Sequence, residues 1–313
     1  NMFQSIRWAF NWKEWSPSEK DFTYAISCIQ LEEKERLSRF VFRKDVRASL
    51  VGRLMMRKFV NDYGHVPYSS ILFARDTNNK PILKNISLNL SFNVSHQGNY
   101  TVLAGEMKNI NLGVDVMKLE YTGGKQLSEF FRIMNRNFSP SEWEEIKIFP
   151  NEFDQISMFC RHWALKESYV KAIGRGITID LESISFKTNS KLVENSITTD
   201  TALYINDVKQ NWLFEETLLN SQHCVAVALQ ENGEMPNSQK KTFEIIDSGS
   251  AWTASSSDFG QYLIIDLGQV MNITAVATQG RAVQNEYVME YVINYGTNGL
   301  DYVDYKEEDG NVK

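Results

Sequence analysis

Twice along this chain a helical spacing of apolar residues gives way to a strand spacing, and that double alternation restricts the fold more than any other feature. SCIQLEEKERLSRFVF sets Leu31, Leu37, Phe40 and Val41 at helical intervals behind Ser27, and RASLVGRLMMRKFVNDYG carries the pattern to Gly64. A helix is therefore expected over 27–63, with Met55 and Met56 in its core face. From 71 the period shortens: ILFARD, KPILK, LSFNVSH, YTVLAGE and INLGVDVM are β-rich runs split by polar turns. Helical spacing then returns. SEFFRIMNR (128–136) is amphipathic, and SPSEWEEIKIF (139–149) opens with Ser139, Pro140 and Glu142, the residues of a capping box. Residues 152–173 carry an apolar stripe of Ile156, Phe159, Trp163, Tyr169, Val170 and Ile173, closed by Gly174 and Gly176. ISFK, ALYIND, WLFEE and HCVAVALQ are strands again. Helices then strands, twice over, predict an α+β fold of two halves, 1–105 and 106–230.

QENGEMPNSQKK is polar with Gly and Pro and reads as a linker, 231–245, before a tail of different composition at 246–313. Charge marks the same boundary. Residues 236–313 hold five Lys/Arg and eleven Asp/Glu, so the whole net charge of −6 lies there, while 1–235 are neutral. Such a distribution offers no basic face for nucleic acid, and no nucleic-acid partner is expected. No apolar run is long enough for a membrane helix, and no membrane association is expected. Cys28, Cys160 and Cys224 are too few and too scattered for a disulfide framework or a zinc site. The segment NMFQSIRWAFNWKEW has no apolar secretion core, so the expected location is a reducing cytosol.

Chemistry concentrates in three segments: NVSHQGNY (93–100), LGVDVM (112–117) and WALKESYVK (163–171). Asp115 sits in an apolar strand, where a lone carboxylate is costly unless paired, capping a loop or holding a cation. His96 ends a strand beside Gly98, a place for a hydrogen-bonded loop histidine as much as a working one. On the 152–173 helix, Glu167 and Lys171 are spaced for an i,i+4 ion pair on a solvated face. Read together, Asp115 and Glu167 could supply oxygens to Mg²⁺, which takes few carboxylates with phosphate and water. Lys171, Arg36, Arg75 and Lys80 could then hold phosphates.

These residues stand in a wider pattern: EEKERLSRFVFRKD, GRLMMRK, KPIL, FNVSHQGNYTVLAGE, GVDVMK, EFFRIMNR, FSPSEWEEI and FCRHWALKESYVKAIGRGI. Over residues 5–230 the chain resembles the large, pseudo-dimeric class of 4′-phosphopantetheinyl transferases, and most of all its eukaryotic branch, linked to aminoadipate-semialdehyde dehydrogenase. G-V-D followed by W-x-x-K-E-S-x-x-K is the most specific part. The resemblance implies two similar α+β halves with coenzyme A between them. It implies Mg²⁺-dependent transfer of phosphopantetheine to a carrier-protein serine, with release of adenosine 3′,5′-bisphosphate. By the same resemblance Asp115 and Glu167 are the metal ligands. Arg36, Arg75, Lys80, Asn93, Val94, Ser95, His96, Asp115, Glu167 and Lys171 bind coenzyme A, and Glu167, His96 and Lys171 are catalytic. The implied partners are apo acyl carrier protein domains of the fatty-acid synthase and aminoadipate dehydrogenase kinds, served by a monomer.

Two departures from the family stand out. Met117 occupies the place where many bacterial members have a third acid, so water or Gln97 would complete the metal shell. RDTNNKP lacks the glycine of its relatives' loop, which puts the fit around coenzyme A in question. The tail, with DLG, ITAVATQGR and EYVINYG, resembles about half of a discoidin (coagulation factor V/VIII C-type) module, an extracellular β-sandwich that binds lipids, sugars or proteins. Without its usual cysteines and second half, it is expected to be a chimeric appendage rather than an adhesion domain. A binding protein using that tail and a coenzyme A-binding pseudoenzyme are the competing readings. Asp115, Glu167 and Lys171 all being present argues against the second.

Overall fold

The computed structural model describes residues 5–84, 86–121, 123–174, 179–237 and 242–246, with short pieces at 270, 273, 292–297 and 301–305. The chain forms two compact units, Asn1–Ile246 and Asp247–Lys313.

In the first unit, strand β1 (Ser5–Asn11) leads to three helices, α1 (Glu19–Ser27), α2 (Leu31–Leu37) and α3 (Arg43–Gly64). The single helix expected over 27–63 is thus broken twice, and Ser27 ends a helix rather than starting one. Ser18 is the N-cap of α1, its side chain accepting from the Asp21 N–H. The breaks let Ile29 and Leu37 turn inward together onto Leu50. Phe40 and Val41, which made the apolar spacing look continuous, are exposed. β2 (Phe73–Arg75) and β3 (Pro81–Leu83) form a small hairpin, followed by β4 (Ser91–Gln97) and β5 (Tyr100–Glu106).

β6 (Asn111–Lys118) begins the second half, followed by α4 (Leu127–Ile133), α5 (Pro140–Lys147) and α6 (Glu152–Ile173). The Ser139–Glu142 capping box is formed in both directions, with Pro140 at the first helical position. Gly174 ends α6 in the left-handed region, at φ 67°; Gly176 lies outside the described residues. β7 (Ile184–Lys187), β8 (Ala202–Ile205) and β9 (Val208–Lys209) make one small sheet, and the long hairpin β10 (Leu213–Asn220) and β11 (His223–Gln230) closes the half.

Strand order repeats between the halves. β5 lies between β1 and β4, and β11 lies between β6 and β10, every pairing antiparallel. A 22-residue helix belongs to each half, α3 to the first and α6 to the second. Between the sheets lies one apolar core in which Ala9, Val102 and Ala104 meet Val114, Val116, Val225 and Val227. Arg7 of β1 crosses it, with Nη2 on Glu106 at 2.7 Å and Nε on Glu215 at 2.8 Å. On the opposite face of β10, Glu216 takes Nε and Nη2 of Arg161 at 2.8 and 2.9 Å. Alternation along the strand thus sends Glu215 toward one half and Glu216 toward the other, each neutralised by a buried arginine.

The segment read as the end of a linker is part of this unit. Phe243 is buried in the inter-sheet core, and β12 (Glu244–Ile245) adds to β1 as a parallel edge strand. Polarity marked 231–241, but the apolar FEII that follows has a sheet edge to cover.

In the second unit, β13 (Asn294–Tyr295) and β14 (Val303–Asp304) pair antiparallel. DLG and ITAVATQGR, the tail motifs named above, fall almost wholly outside the described residues. No helix among the described residues is long and apolar enough to cross a membrane.

Candidate active site

Gly113 decides how close α6 comes to β6. A Cβ there would lie 2.0 Å from the Ser168 carbonyl oxygen and 2.5 Å from the Ala172 nitrogen, so only glycine permits the contact. One turn of α6, Glu167 to Lys171, is thereby laid against Asp115 of β6.

Asp115 is buried, and its Oδ1 accepts from Ser95 Oγ at 2.7 Å and Lys171 Nζ at 2.6 Å. Lys171 also donates to Ser95 Oγ at 2.8 Å and the Val114 carbonyl at 3.3 Å. The partner of Lys171 is therefore Asp115, not Glu167 as helical spacing suggested. Glu167 is half-buried and accepts no hydrogen bond among the described residues. Burial, then the charge of Asp115, raise its pKa above the ordinary carboxylate value, against a weaker opposing pull from Lys171.

β4 meets β6 through side chains. Asn93, Ser95 and Gln97 alternate along one face of β4. Asn93 Oδ1 accepts from the Val114 N–H at 2.9 Å, Ser95 bonds Asp115, and Gln97 Oε1 accepts from the Lys118 N–H at 2.5 Å. The side chains of Asn93 and Ser95 are buried in this joint, while Val94 on the other face packs into the core beneath α3. His96, also on that alternate face, is exposed at the strand end. Desolvation by the chain around it, then the positive charges of Arg53 and Lys171, lower its pKa from the ordinary imidazole value.

A second group of cations gathers on the β2–β3 turn. Asp76 Oδ1 accepts from the N–H groups of Asn78 and Lys80, and Asn79 stands at φ 66°. Asn tolerates this left-handed conformation better than most residues, so the turn closes without a glycine. Its carbonyl accepts from Arg75 Nη1 at 3.0 Å and its Oδ1 from Arg36 Nη1 at 3.4 Å. Lys80 Nζ reaches the Lys171 carbonyl at 3.4 Å, tying this loop to the end of α6. Buried Glu33 pairs with Arg53 and, at 3.3 Å, with Arg75. Burial pushes its carboxyl up, but the two arginines outweigh it and hold it below its usual value. Arg53 and Glu33 escaped the sequence reading.

The structure brings Asp115, Glu167, Lys171, Ser95 and His96 into one neighbourhood and joins Arg36, Arg75 and Lys80 to it through Lys80. Lys166 does something else. It is fully buried, with Nζ 2.8 Å from Glu142 and donating to the carbonyls of Leu181 and Ile184. No group of three or more His, Cys, Asp or Glu among the described residues is placed to hold a metal. Asp115 and Glu167 remain as a pair. Met117 packs against the core, and Gln97 Oε1 is committed to Lys118. Asp115 Oδ2 and both Glu167 oxygens have no donor among the described residues, and Lys171 bonds Asp115 alone of the two acids. This set fits Mg²⁺, which needs few carboxylates beside phosphate and water. A groove of about 950 Å³ beside α4, lined by Lys125, Arg132 and Lys147 among others, shares none of these residues.

Comparison with known proteins places two family models on the first unit: "4′-phosphopantetheinyl transferase, N-terminal" over 13–108 and "4′-phosphopantetheinyl transferase superfamily" over 111–228. "F5/8 type C domain" matches 227–313, overlapping β11 and β12 of the first unit. The L-aminoadipate-semialdehyde dehydrogenase-phosphopantetheinyl transferase of Xenopus laevis is 40% identical over 249 residues, 78% of this chain and 82% of that protein. The Homo sapiens protein of that name is 40% identical over 234 residues, 73% of this chain and 75% of its own. The 4′-phosphopantetheinyl transferase gsp of Aneurinibacillus migulanus is 28% identical over 217 residues, 68% of this chain and 83% of its own.

Proposed function

Because the chain belongs to the 4′-phosphopantetheinyl transferase superfamily, we propose that it moves phosphopantetheine from coenzyme A to a serine of an apo carrier domain. Adenosine 3′,5′-bisphosphate leaves. The serine oxygen bonds to the β-phosphorus, the bond from that phosphorus to the bridging oxygen breaks, and the serine proton passes to Glu167. The observation that carries this reading is the knot of Ser95, Asp115 and Lys171 with an uncommitted Glu167 one turn away.

Each residue type suits its part. Glu167, which accepts no hydrogen bond among the described residues, is the base, through an oxygen not given to a metal. Lys171 and His96 face charge developing on the diphosphate, and preorganised donors act there with little reorganisation. Arg36, Arg75 and Lys80 bind the phosphates of coenzyme A, and backbone groups of Asn93, Val94, Ser95 and His96 line its path. Asp115 and Glu167 would hold Mg²⁺, which supplies charge neutralisation on the diphosphate.

The repeated strand order supports reading the transferase as a pseudo-dimer of two halves. The relatives' name supports carrier domains of the aminoadipate dehydrogenase kind as substrates; carrier domains of the fatty-acid synthase kind, a cytosolic location and a monomeric enzyme belong to the same proposal. The tail is proposed to be a partial discoidin-like segment without a part in transfer. The test is Glu167→Gln. It should lower single-turnover transfer by about a hundredfold or more, on the scale of general-base catalysis, with coenzyme A still bound. A full transfer rate would remove Glu167 from this role.

A further inference from the structure

His223 is fully buried at the start of β11 and belongs to none of the groups above. It faces the turn that joins β4 to β5. Gln97 pairs with Tyr100, leaving Gly98 and Asn99 as a two-residue turn, with Gly98 at φ 62°. A Cβ on Gly98 would lie 2.4 Å from His223 Nε2 and 2.8 Å from the Lys118 Cβ. The turn is therefore glycine for two reasons, its backbone sign and the ring pressed against it. The Asn99 N–H donates to His223 Nε2 at 3.1 Å, and the ring meets Tyr100 edge-on at 4.9 Å.

The hydrogen bonds fix the tautomer. A backbone N–H can only donate, so Nε2 must present its lone pair. Nδ1 then carries the proton and donates to Asn220 Oδ1 at 3.0 Å, an oxygen that also accepts from the Gln222 N–H. Asn220 Nδ2 in turn donates to Tyr100 Oη at 3.3 Å. A protonated ring would set an N–H against an N–H.

We propose that His223 is a positioning residue of the transferase, whose neutral imidazole clamps the Gly98–Asn99 turn and so holds His96 in register with Asp115 and Lys171. His96 lies two residues before the clamped turn. Gln97 between them is tied to Lys118, the residue paired with His223 across β6 and β11. Clamp and tie fasten the free end of β4 to the second half at the level of the site. The charged and titratable groups facing His223 are Lys118, Glu120 and Lys13, with Tyr100 against its face. Burial first, then Lys118, lower its pKa to about 4, so the clamping tautomer persists at neutral pH.

The inference rests on the reading of His96 as a group of the transfer site, and the test separates the two. The full chain is made uniformly ¹⁵N-labelled as wild type, His223→Leu and His223→Gln; Gln can place an acceptor oxygen where Nε2 stands. Expected first is an Nδ1-protonated His223 and a slowly exchanging Asn99 amide in the wild type. His223→Leu should lose that protection and about ten- to a hundredfold of kcat, the scale of a small misplacement of a catalytic group, with KM for coenzyme A little changed. His223→Gln should restore both. A proton on Nε2, an unaltered kcat in His223→Leu, or equal impairment in Leu and Gln would each overturn the clamp. Should His223→Leu not fold, the tautomer and the Gln variant decide. Should the wild type transfer nothing, the functional reading falls, while tautomer and exchange still decide the clamp.

Discussion

Removing one ring from the strap that follows β11 should cost the transferase unit much of its stability. Phe243 is 7% exposed and packs among the residues that join the two sheets, with Tyr100, Leu213 and Leu229 in the same cluster. Truncating a buried Phe to Ala costs about 3–5 kcal/mol through lost burial plus a cavity. Deleting everything after 235 takes more. It removes the pairing of Glu244 and Ile245 with Trp8 and Ala9, the Ile246 N–H to Ala9 carbonyl bond at 2.7 Å, and the Trp8 Nε1 to Glu244 bond at 3.1 Å. Each such bond contributes about 1 kcal/mol net, and the edge of β1 is left bare. Against a total of about 5–15 kcal/mol for a typical domain, such a truncation is expected to be marginal or unfolded, whereas 1–246 is expected to fold. The assay is urea denaturation of 1–246, its Phe243→Ala variant and 1–235, followed by far-ultraviolet circular dichroism and Trp fluorescence. Phe243→Ala within about 0.5 kcal/mol of its parent, the range of a surface change, would refute the placement of the strap in the core.

Three further outcomes follow from the geometry. Gly113→Ala should lower Tm steeply, because the added methyl meets α6 backbone at 2.0 Å rather than a side chain that can move; a scanning-calorimetry midpoint near wild type would mean that α6 stands off β6. Asn79→Gly should leave the unfolding free energy within a few tenths of a kcal/mol while weakening coenzyme A binding through the freed Arg36, whereas Asn79→Val should cost about 1–2 kcal/mol at φ 66°. Stability should fall as pH drops from about 6.5 toward 4, because the unfolded chain protonates His223 at its ordinary value while the folded chain does not until about 4. The difference between wild type and His223→Gln isolates this from other titrations, including His162, whose raised pKa acts in the opposite sense. It should reach about 3 kcal/mol at most, 1.36 kcal/mol per unit; a flat difference across that window would contradict a neutral buried ring.

Local signals made parts of the fold legible. The Ser139–Pro140–Glu142 cap, the end of α6 at Gly174 and the strands at LSFNVSH, YTVLAGE, INLGVDVM and HCVAVALQ all stand where spacing and turn residues put them. Contacts between distant elements were not legible. Nothing in SCIQLEEKERLSRFVF says that Ile29 and Leu37 must both reach Leu50, so the breaks around 28–30 and 38–42 were invisible. The same holds for the site. Asp115 was conspicuous as an acid in an apolar strand, and Glu167 and Lys171 as a pair one turn apart. Only the packing at Gly113 shows that Lys171 turns to Asp115 and leaves Glu167 free. Lys166, one residue away and alike on paper, is buried against Glu142 because α6 has a second face. His223 carried no signal beyond being one of four histidines, since its partners come from the β4–β5 turn, β5 and β10.

The central claim is that the first unit alone carries a transferase whose chemistry passes through Asp115, Glu167 and Lys171. The most direct measurement is the intact mass of an apo acyl carrier protein after incubation with coenzyme A and residues 1–246, with Mg²⁺ or with chelator, beside the Asp115→Asn variant. The expected result is a gain of one phosphopantetheinyl group that needs Mg²⁺ and is lost in Asp115→Asn. Full transfer in chelator, or by Asp115→Asn, would contradict the site; no transfer by a folded 1–246 while the full chain is active would contradict its placement in the first unit.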